Sequence, residues 1–176
     1  MRIAVIGAGT QGRAFALTCA RSGHAVALED VMPHKLRQAG VEFAGLGAEV
    51  ALVATVEDAV RDADLVIDFV PDELESKLEI WSLIDRMAPP RTVMCTPSEV
   101  LSITDLASCT YRPDRCIMVR GALTGAITTR ILGASQTSPE TVSLARELFT
   151  SLGQQVSSEA DPDLPQLLKN MHAATL

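Results

Sequence analysis

"IAVIGAGTQGRAFA", residues 3–16, decides how the rest of the chain is read. A short β-branched run, "RIAVIG" (2–7), passes directly into a helical stretch that continues to about Ser22. Gly7, Gly9 and Gly12 punctuate that junction with the spacing G-x-G-x-x-G. Each glycine has its own task. The first permits a tight turn, the second lets backbone approach a pyrophosphate, and the third allows the helix to pack closely on the strand. The helix then opens at Thr10 and Gln11, where backbone N–H groups have no partner inside the helix and attract an anion. A second apolar run, "HAVALED" (24–30), ends in an acid, Asp30, eighteen residues after Gly12. A carboxylate there bonds ribose hydroxyls and repels a 2′-phosphate. No arginine follows it directly, so the expected cofactor is NAD and not NADP. Glu29 is the neighbouring carboxylate that could take the ribose role instead.

The bulk composition agrees with a nucleotide-binding globule. The chain has 176 residues, near the size of one domain. Hydrophobic residues make up 47% and aromatics only 3%, so Val, Leu, Ile and Ala must build the core. A formal charge of −7 without a basic stripe argues against a nucleic-acid partner. Cys19, Cys95, Cys109 and Cys116 form no C-x-x-C pair and no zinc-type cluster with histidine. They read as isolated reduced thiols, and no metal is expected. No apolar run reaches the ~20 residues that span a bilayer, so no membrane partner is expected. Met1 leads straight into a strand with no secretory leader pattern. The expectation is a natural amino terminus and a cytoplasmic protein.

Outward from the glycines, strand-like and helical stretches alternate. Strands are expected at 2–7, 24–30, 49–55, 64–70, 91–96 and 116–122, with an extra one at 129–134 and a last one at 154–159. Helices are expected up to Ser22 and over 33–47, 56–63, 72–88 and 102–108. "DLVIDFV" (64–70) reads as apolar on both faces, as a buried parallel strand should. A final helix begins at "TSPETVSLARELFTSLG", with Ser138 as N-cap, Pro139 at its first position and Gly153 as its stop. Such alternation predicts an α/β fold: a Rossmann-type, doubly wound, mostly parallel sheet in a single domain. The domain is expected over residues 1–158. Residues 159–176 form a hinge, "EADPDLPQ" (159–166), and a short tail.

At this point the sequence resembles the NAD-binding domain of the L-3-hydroxyacyl-CoA dehydrogenases. The resemblance rests on "IAVIGAGTQGRAFA", "GHAVALED", "ADLVIDFVPDELESKLEIWSLID", "LSITDLA", "RPDRC" and "TSPETVSLARELFTSLGQQV", which cover most of residues 1–157. It implies that Asp72 and Lys77, matching the family's acid after proline and the lysine five positions on, approach the cofactor. The alternative for both is a solvated charge at a helix start. It also implies hydride transfer between NAD and the C3 hydroxyl of an acyl thioester, assisted by a histidine, an orienting glutamate, a serine and an asparagine.

The chain departs from that pattern where the chemistry sits. In "TPSEVLSIT", the family's asparagine falls on Pro97 and its serine on Glu99, and a shifted loop would put Ser98 there instead. In "MVRGALT", the histidine falls on Arg120 and the second asparagine on Leu123, and the orienting glutamate falls on Leu132. Arginine stays charged at neutral pH and cannot act as a base. At a strand's carboxyl end, Arg120 would bind a carboxylate or phosphate, or else form a structural salt bridge. His24, His34 and His172 read as surface or packing residues. "DPDLPQLLKNMHAATL" faintly echoes the family's entry helix, with Asn170 at its asparagine. The family's CoA-clamping excursion and helical C-terminal domain have no counterpart in this sequence. Two functions therefore stand side by side. One is an NAD-dependent oxidoreductase with Glu99, Ser98, Lys77 or a water chain in the acid/base role, its cleft completed by a partner chain or a second copy. The other is a non-catalytic NAD(H)-binding sensor or subunit.

Overall fold

The computed structural model describes residues 1–125 and 127–163. Along them run β1 (Arg2–Ile6), α1 (Thr10–Arg21), β2 (Ala25–Glu29), α2 (Pro33–Gly45), β3 (Ala51–Val53), α3 (Val56–Val60), β4 (Leu65–Asp68), α4 (Leu74–Met87), β5 (Val93–Pro97), α5 (Ile103–Ser108), β6 (Cys116–Arg120), β7 (Thr128–Gly133), α6 (Pro139–Ser151) and β8 (Gln155–Ala160). The strands form one eight-stranded sheet in the order β3-β2-β1-β4-β5-β6-β7-β8. β1 to β6 run parallel, β7 turns antiparallel to β6, and β8 follows β7 in parallel. This is the doubly wound α/β fold that the alternation predicts.

Helices cover both faces, as a sheet of buried parallel strands requires. One apolar layer holds Phe15, Leu28, Phe43 and Phe149 beneath α1, α2 and α6. The other holds Trp81, Ile84, Ile103 and Met118 beneath α4 and α5. Local chemistry sets the helix ends. Ser138 accepts from the Thr141 N–H to start α6, with Pro139 following, and Gly153 after its end takes φ +81°. Thr55 and Ser102 cap α3 and α5 in the same way.

Two details differ from the expectation. β4 is not apolar throughout: it ends on Asp68, whose side chain is fully buried. The last strand also runs on to Ala160, because Glu159 and Ala160 continue the ladder opposite Leu132 and Gly133. Asp161 then ties the chain to α5. Its carboxylate accepts from the Ser102 hydroxyl and from both the N–H and hydroxyl of Thr104. The region expected to be a hinge is thus anchored through Asp161. Residues 164–176, with Asn170 and His172, lie outside the described residues. Cys19, Cys95 and Cys116 are buried thiols and Cys109 is exposed, none of them in a disulfide. Burial pushes the Cys19 and Cys116 thiols up to about 12.

Candidate functional site: a dinucleotide cleft at the switch between β1 and β4

The glycines have the geometry their spacing implies. Gly7 adopts φ +101°, a conformation that L side chains rarely take. A Cβ on Gly12 would lie 1.9 Å from the Gly7 carbonyl oxygen, so the helix could not pack against the turn. A Cβ on Gly9 would meet nothing within 4 Å, and its backbone faces open space. Gly9 caps α1 without any side-chain hydrogen bond, which leaves first-turn N–H groups at Thr10 and Gln11 for an anion.

Asp30 and Arg13 hold this turn from opposite sides. The Ala8 N–H donates to Asp30 Oδ2 at 2.9 Å, and Arg13 Nη1 donates to the Ala8 carbonyl at 2.9 Å. Arg13 is itself held by Glu42 at 2.8 Å. The Met32 N–H and the Lys35 ammonium complete the Asp30 shell. Burial alone would push the Asp30 carboxyl up. The N–H groups of Met32 and Ala8, together with Lys35, outweigh it and hold the group below its ordinary range. Asp30 is thus a preorganised anion, 6% exposed, at the end of β2.

Strand order reverses between β1 and β4, and in such sheets ligands bind outside the carboxyl ends at this point. Two adjoining clefts open there. The first, about 440 Å³, is lined by Gly7, Gly9, Glu29, Asp30 and the apolar side chains Val31, Val56, Ile80 and Leu83. The second, about 730 Å³, is lined by Gln11, Asp72, Lys77, Ser98, Glu99 and Leu123, among others. Lys35, Phe69, Val70 and Pro71 border both. A dinucleotide laid across the switch would fit its phosphates over the glycine turn and one base in each cleft.

The second cleft gathers most of the sequence-predicted chemistry. Asp72 Oδ2 accepts from the Glu99 N–H at 3.2 Å, and Glu99 Oε1 accepts from the Gly121 N–H at 3.0 Å. These bonds tie together the loops after β4, β5 and β6. Ser98 is buried, and its Oγ accepts from the Val100 and Leu101 N–H groups, leaving its own O–H free to donate. Lys77 is no solvated helix-start charge. It is 1% exposed, pairs with Asp68 at 2.8 Å, and donates to the Pro97 carbonyl at 3.1 Å. Arg120 is brought to the loops but not to the cleft wall. It donates to the carbonyls of Ser98 and Leu101 and pairs with Asp163, so its guanidinium forms the structural salt bridge. Leu132 is fully buried core and Leu123 packs against the core.

Sequence reading missed Asp68, Trp81 and Arg13. The signal for Asp68 was an acid inside an apolar strand, since a buried carboxylate requires partners. It has two: Lys77 and the Trp81 indole N–H, which donates at 2.9 Å. His24 bonds Ser151 at 2.7 Å near the amino terminus, far from the clefts. His34 is exposed. Among the described residues no group of three or more His, Cys, Asp or Glu could hold a metal, and no helix is long and apolar enough to cross a membrane.

The comparisons with known proteins agree with this geometry. The 5-formyl-3-hydroxy-2-methylpyridine 4-carboxylate 5-dehydrogenase of Mesorhizobium japonicum is 30% identical over 168 residues, covering 86% of this chain and 54% of that protein. The 3-hydroxybutyryl-CoA dehydrogenase of Clostridioides difficile is 32% identical over 135 residues, covering 66% of this chain and 48% of the relative. The crystal structure of a 3-hydroxyacyl-CoA dehydrogenase from Archaeoglobus fulgidus superposes with a TM-score of 0.80 at 27% identity, covering 99% of this chain and 60% of that one. The chain spans about half the length of the curated relatives it matches. The open face of Gly9, the Gly12 contact and the preorganised Asp30 fit NAD. The profile described as "3-hydroxyacyl-CoA dehydrogenase, NAD binding domain" matches residues 2–46 and 41–160. With the glycine turn, the acid at the end of β2 and the switch-point clefts all in place, the chain belongs to the NAD-binding domain family of the 3-hydroxyacyl-CoA dehydrogenases.

Proposed function

We propose that this chain is the cofactor-binding part of an NAD-dependent oxidoreductase acting on a small 3-hydroxyacyl or 3-ketoacyl substrate, an acyl thioester by analogy. The observation that carries this reading is the second cleft. There Ser98 and Glu99 stand together at the carboxyl end of β5, beside the glycine turn.

NAD, when bound, supplies the carbon that accepts hydride. The chain's own residues do the rest. Gly9 and the first turn of α1 hold phosphate, and Asp30 takes the ribose hydroxyls. Asp72 fixes the Glu99 backbone, and Gly121 orients its carboxylate. Glu99 then takes the proton of the substrate's C3 hydroxyl as the C3–H bond gives up its electron pair. Ser98 donates its O–H to the same oxygen. Lys77, locked to Asp68, braces the end of β5 by donating to the Pro97 carbonyl. A partner chain or a second copy completes the substrate side. The free thiols suit a cytoplasmic setting.

A second reading is a non-catalytic NAD(H)-binding sensor or subunit. It is favoured by Arg120 and Leu132, which stand where the family's histidine and glutamate are expected and serve structure instead. The test is one fluorescence trace, with NADH bound first and acetoacetyl-CoA then added. Enhancement followed by decay that Glu99→Gln slows at least tenfold supports the enzyme. Enhancement without decay supports the sensor or an enzyme that lacks its substrate-side partner, and decay restored by a supplied partner separates the two.

A further inference from the structure

Glu29 is a carboxylic acid in a position built for an apolar side chain. It closes β2 on the sheet face that carries α3 and α4, between Ile6 of β1 and Val53 of β3 in register. Its residue is 3% exposed. Its Oε1 is buried and has no hydrogen-bond partner among the described residues. A buried, unpaired carboxyl oxygen costs free energy that a valine there would not. Fold stability therefore offers no reason for it.

The carboxyl lines the smaller cleft, whose walls are Val31, Val56, Ile80 and Leu83. A slot with apolar walls and a few polar groups, here Glu29, Lys35, Ser76 and Glu79, suits a flat heteroaromatic base. The slot is lined by Asp30 together with Gly7 and Gly9, so the base that enters it is the one next to the ribose that Asp30 would hold. Asp30, bonded to Ala8, Met32 and Lys35, is taken up with the turn and the ribose. Glu29 is thus free for a different donor.

We propose that Glu29 reads the nucleotide base, its carboxyl oxygen accepting a hydrogen bond from the exocyclic amine of adenine. The inference rests on the NAD-binding reading and goes further, because it assigns base specificity to a residue with no other partner. An amine in the slot pairs with the carboxyl at its cleft-facing oxygen. A keto oxygen at the same place sets one acceptor against another. A site that hydrogen-bonds an N–H rejects the analogue lacking it far more strongly than an apolar pocket rejects a change of shape. Burial, helped by the Asp30 charge, pushes the Glu29 carboxyl up to about 7. The other charged groups on the slot are Asp30, Lys35 from α2 and Glu79 from α4. The comparison is therefore made at pH 8, where Glu29 is mostly ionised and cannot donate to a keto oxygen.

The experiment titrates the full chain with NADH and with reduced nicotinamide hypoxanthine dinucleotide, which carries a keto oxygen in place of the amine, reading nicotinamide emission. The expected result is at least tenfold weaker binding of the hypoxanthine analogue. Glu29→Gln, whose amide can turn either its oxygen or its nitrogen to the base, should bring the two affinities within about twofold. Equal binding of the two dinucleotides by the wild-type chain overturns this inference and leaves the NAD-binding reading standing. So does discrimination that survives Glu29→Gln. Failure of both dinucleotides to bind overturns the inference together with the reading beneath it.

Discussion

The Lys77 ammonium lies 2.8 Å from the Asp68 carboxylate, and neither side chain is more than 1% exposed. Trp81 closes the group by donating its indole N–H to the other carboxylate oxygen at 2.9 Å. Removing one member of a buried pair leaves the other charge unpaired, at a cost of about 3–5 kcal/mol. Lys77→Met should therefore lower the unfolding free energy by that amount, read as a fall in the urea midpoint at unchanged slope. Trp81 is the sole tryptophan, so its emission should shift in the folded variant. Unchanged stability would mean that the pair opens to solvent.

The second and third glycines of the turn should respond in opposite ways. Gly12→Ala places a methyl group 1.9 Å from a backbone oxygen, so the variant should be strongly destabilised or misassembled at the turn. Gly9→Ala meets nothing within 4 Å and has φ −68°, which any residue adopts. Its stability should stay within about 0.5 kcal/mol of wild type. Its affinity for NADH should nonetheless fall, because the methyl group enters the space left for phosphate. Calorimetry of folding and of binding on the same two variants separates these effects.

Glu29 makes the free protein less stable at neutral pH than in mild acid. Its folded value of about 7 exceeds the ordinary 4.5, so the folded state keeps a proton that the unfolded state has lost between those values. Stability from this group is full below about 4.5 and declines as pH rises to about 7, by roughly 3 kcal/mol at most. Glu29→Gln should flatten the unfolding free energy across that window and be the more stable chain at pH 8. A parallel pair of stability curves would show that Glu29 does not titrate as its burial implies.

Asp161 acts in the opposite sense. Burial pushes its carboxyl up, but the hydroxyls of Ser102 and Thr104 and the N–H groups of Thr104 and Asp163 bring it below the ordinary 3.8. Its contribution is present above the ordinary value and disappears as pH falls through the lowered one. Asp161→Asn should cost about 1–3 kcal/mol at pH 7. The gap between variant and wild type should close in acid, as followed by denaturant melts at successive pH values.

The fold was legible because its signals are local and repeated. Glycine spacing, strand-length apolar runs and the Ser138–Pro139 start of α6 each state their own element, and every expected strand and helix is present. The geometry of the glycine turn was legible for the same reason, since Gly7, Gly9, Gly12 and Asp30 lie within thirty residues of one another. What escaped depends on partners distant in sequence. For Lys77 the alternative of a solvated charge stayed open because its counter-ion Asp68 lies on another element, inside a strand read as wholly apolar. Arg120 left open two roles that only the positions of Ser98, Leu101 and Asp163 could decide. The first residues of the expected hinge turned into ladder and anchor because β7 offered two more positions and α5 offered the Thr104 N–H of its first turn.

The placement of β1 between β2 and β4 also governs how the molecule is made. One flank of β1 is covered by a strand close behind it, but the other waits for β4, with Arg2 and Asp64 meeting across 62 positions. A ribosome must deliver the whole of α2, β3 and α3 before the central strand is sealed. Until then its buried row of Ile3, Val5 and their neighbours faces the cellular milieu on an open edge. Nascent chains of this protein should therefore depend on chaperones most strongly before β4 emerges, and lose that dependence sharply afterwards.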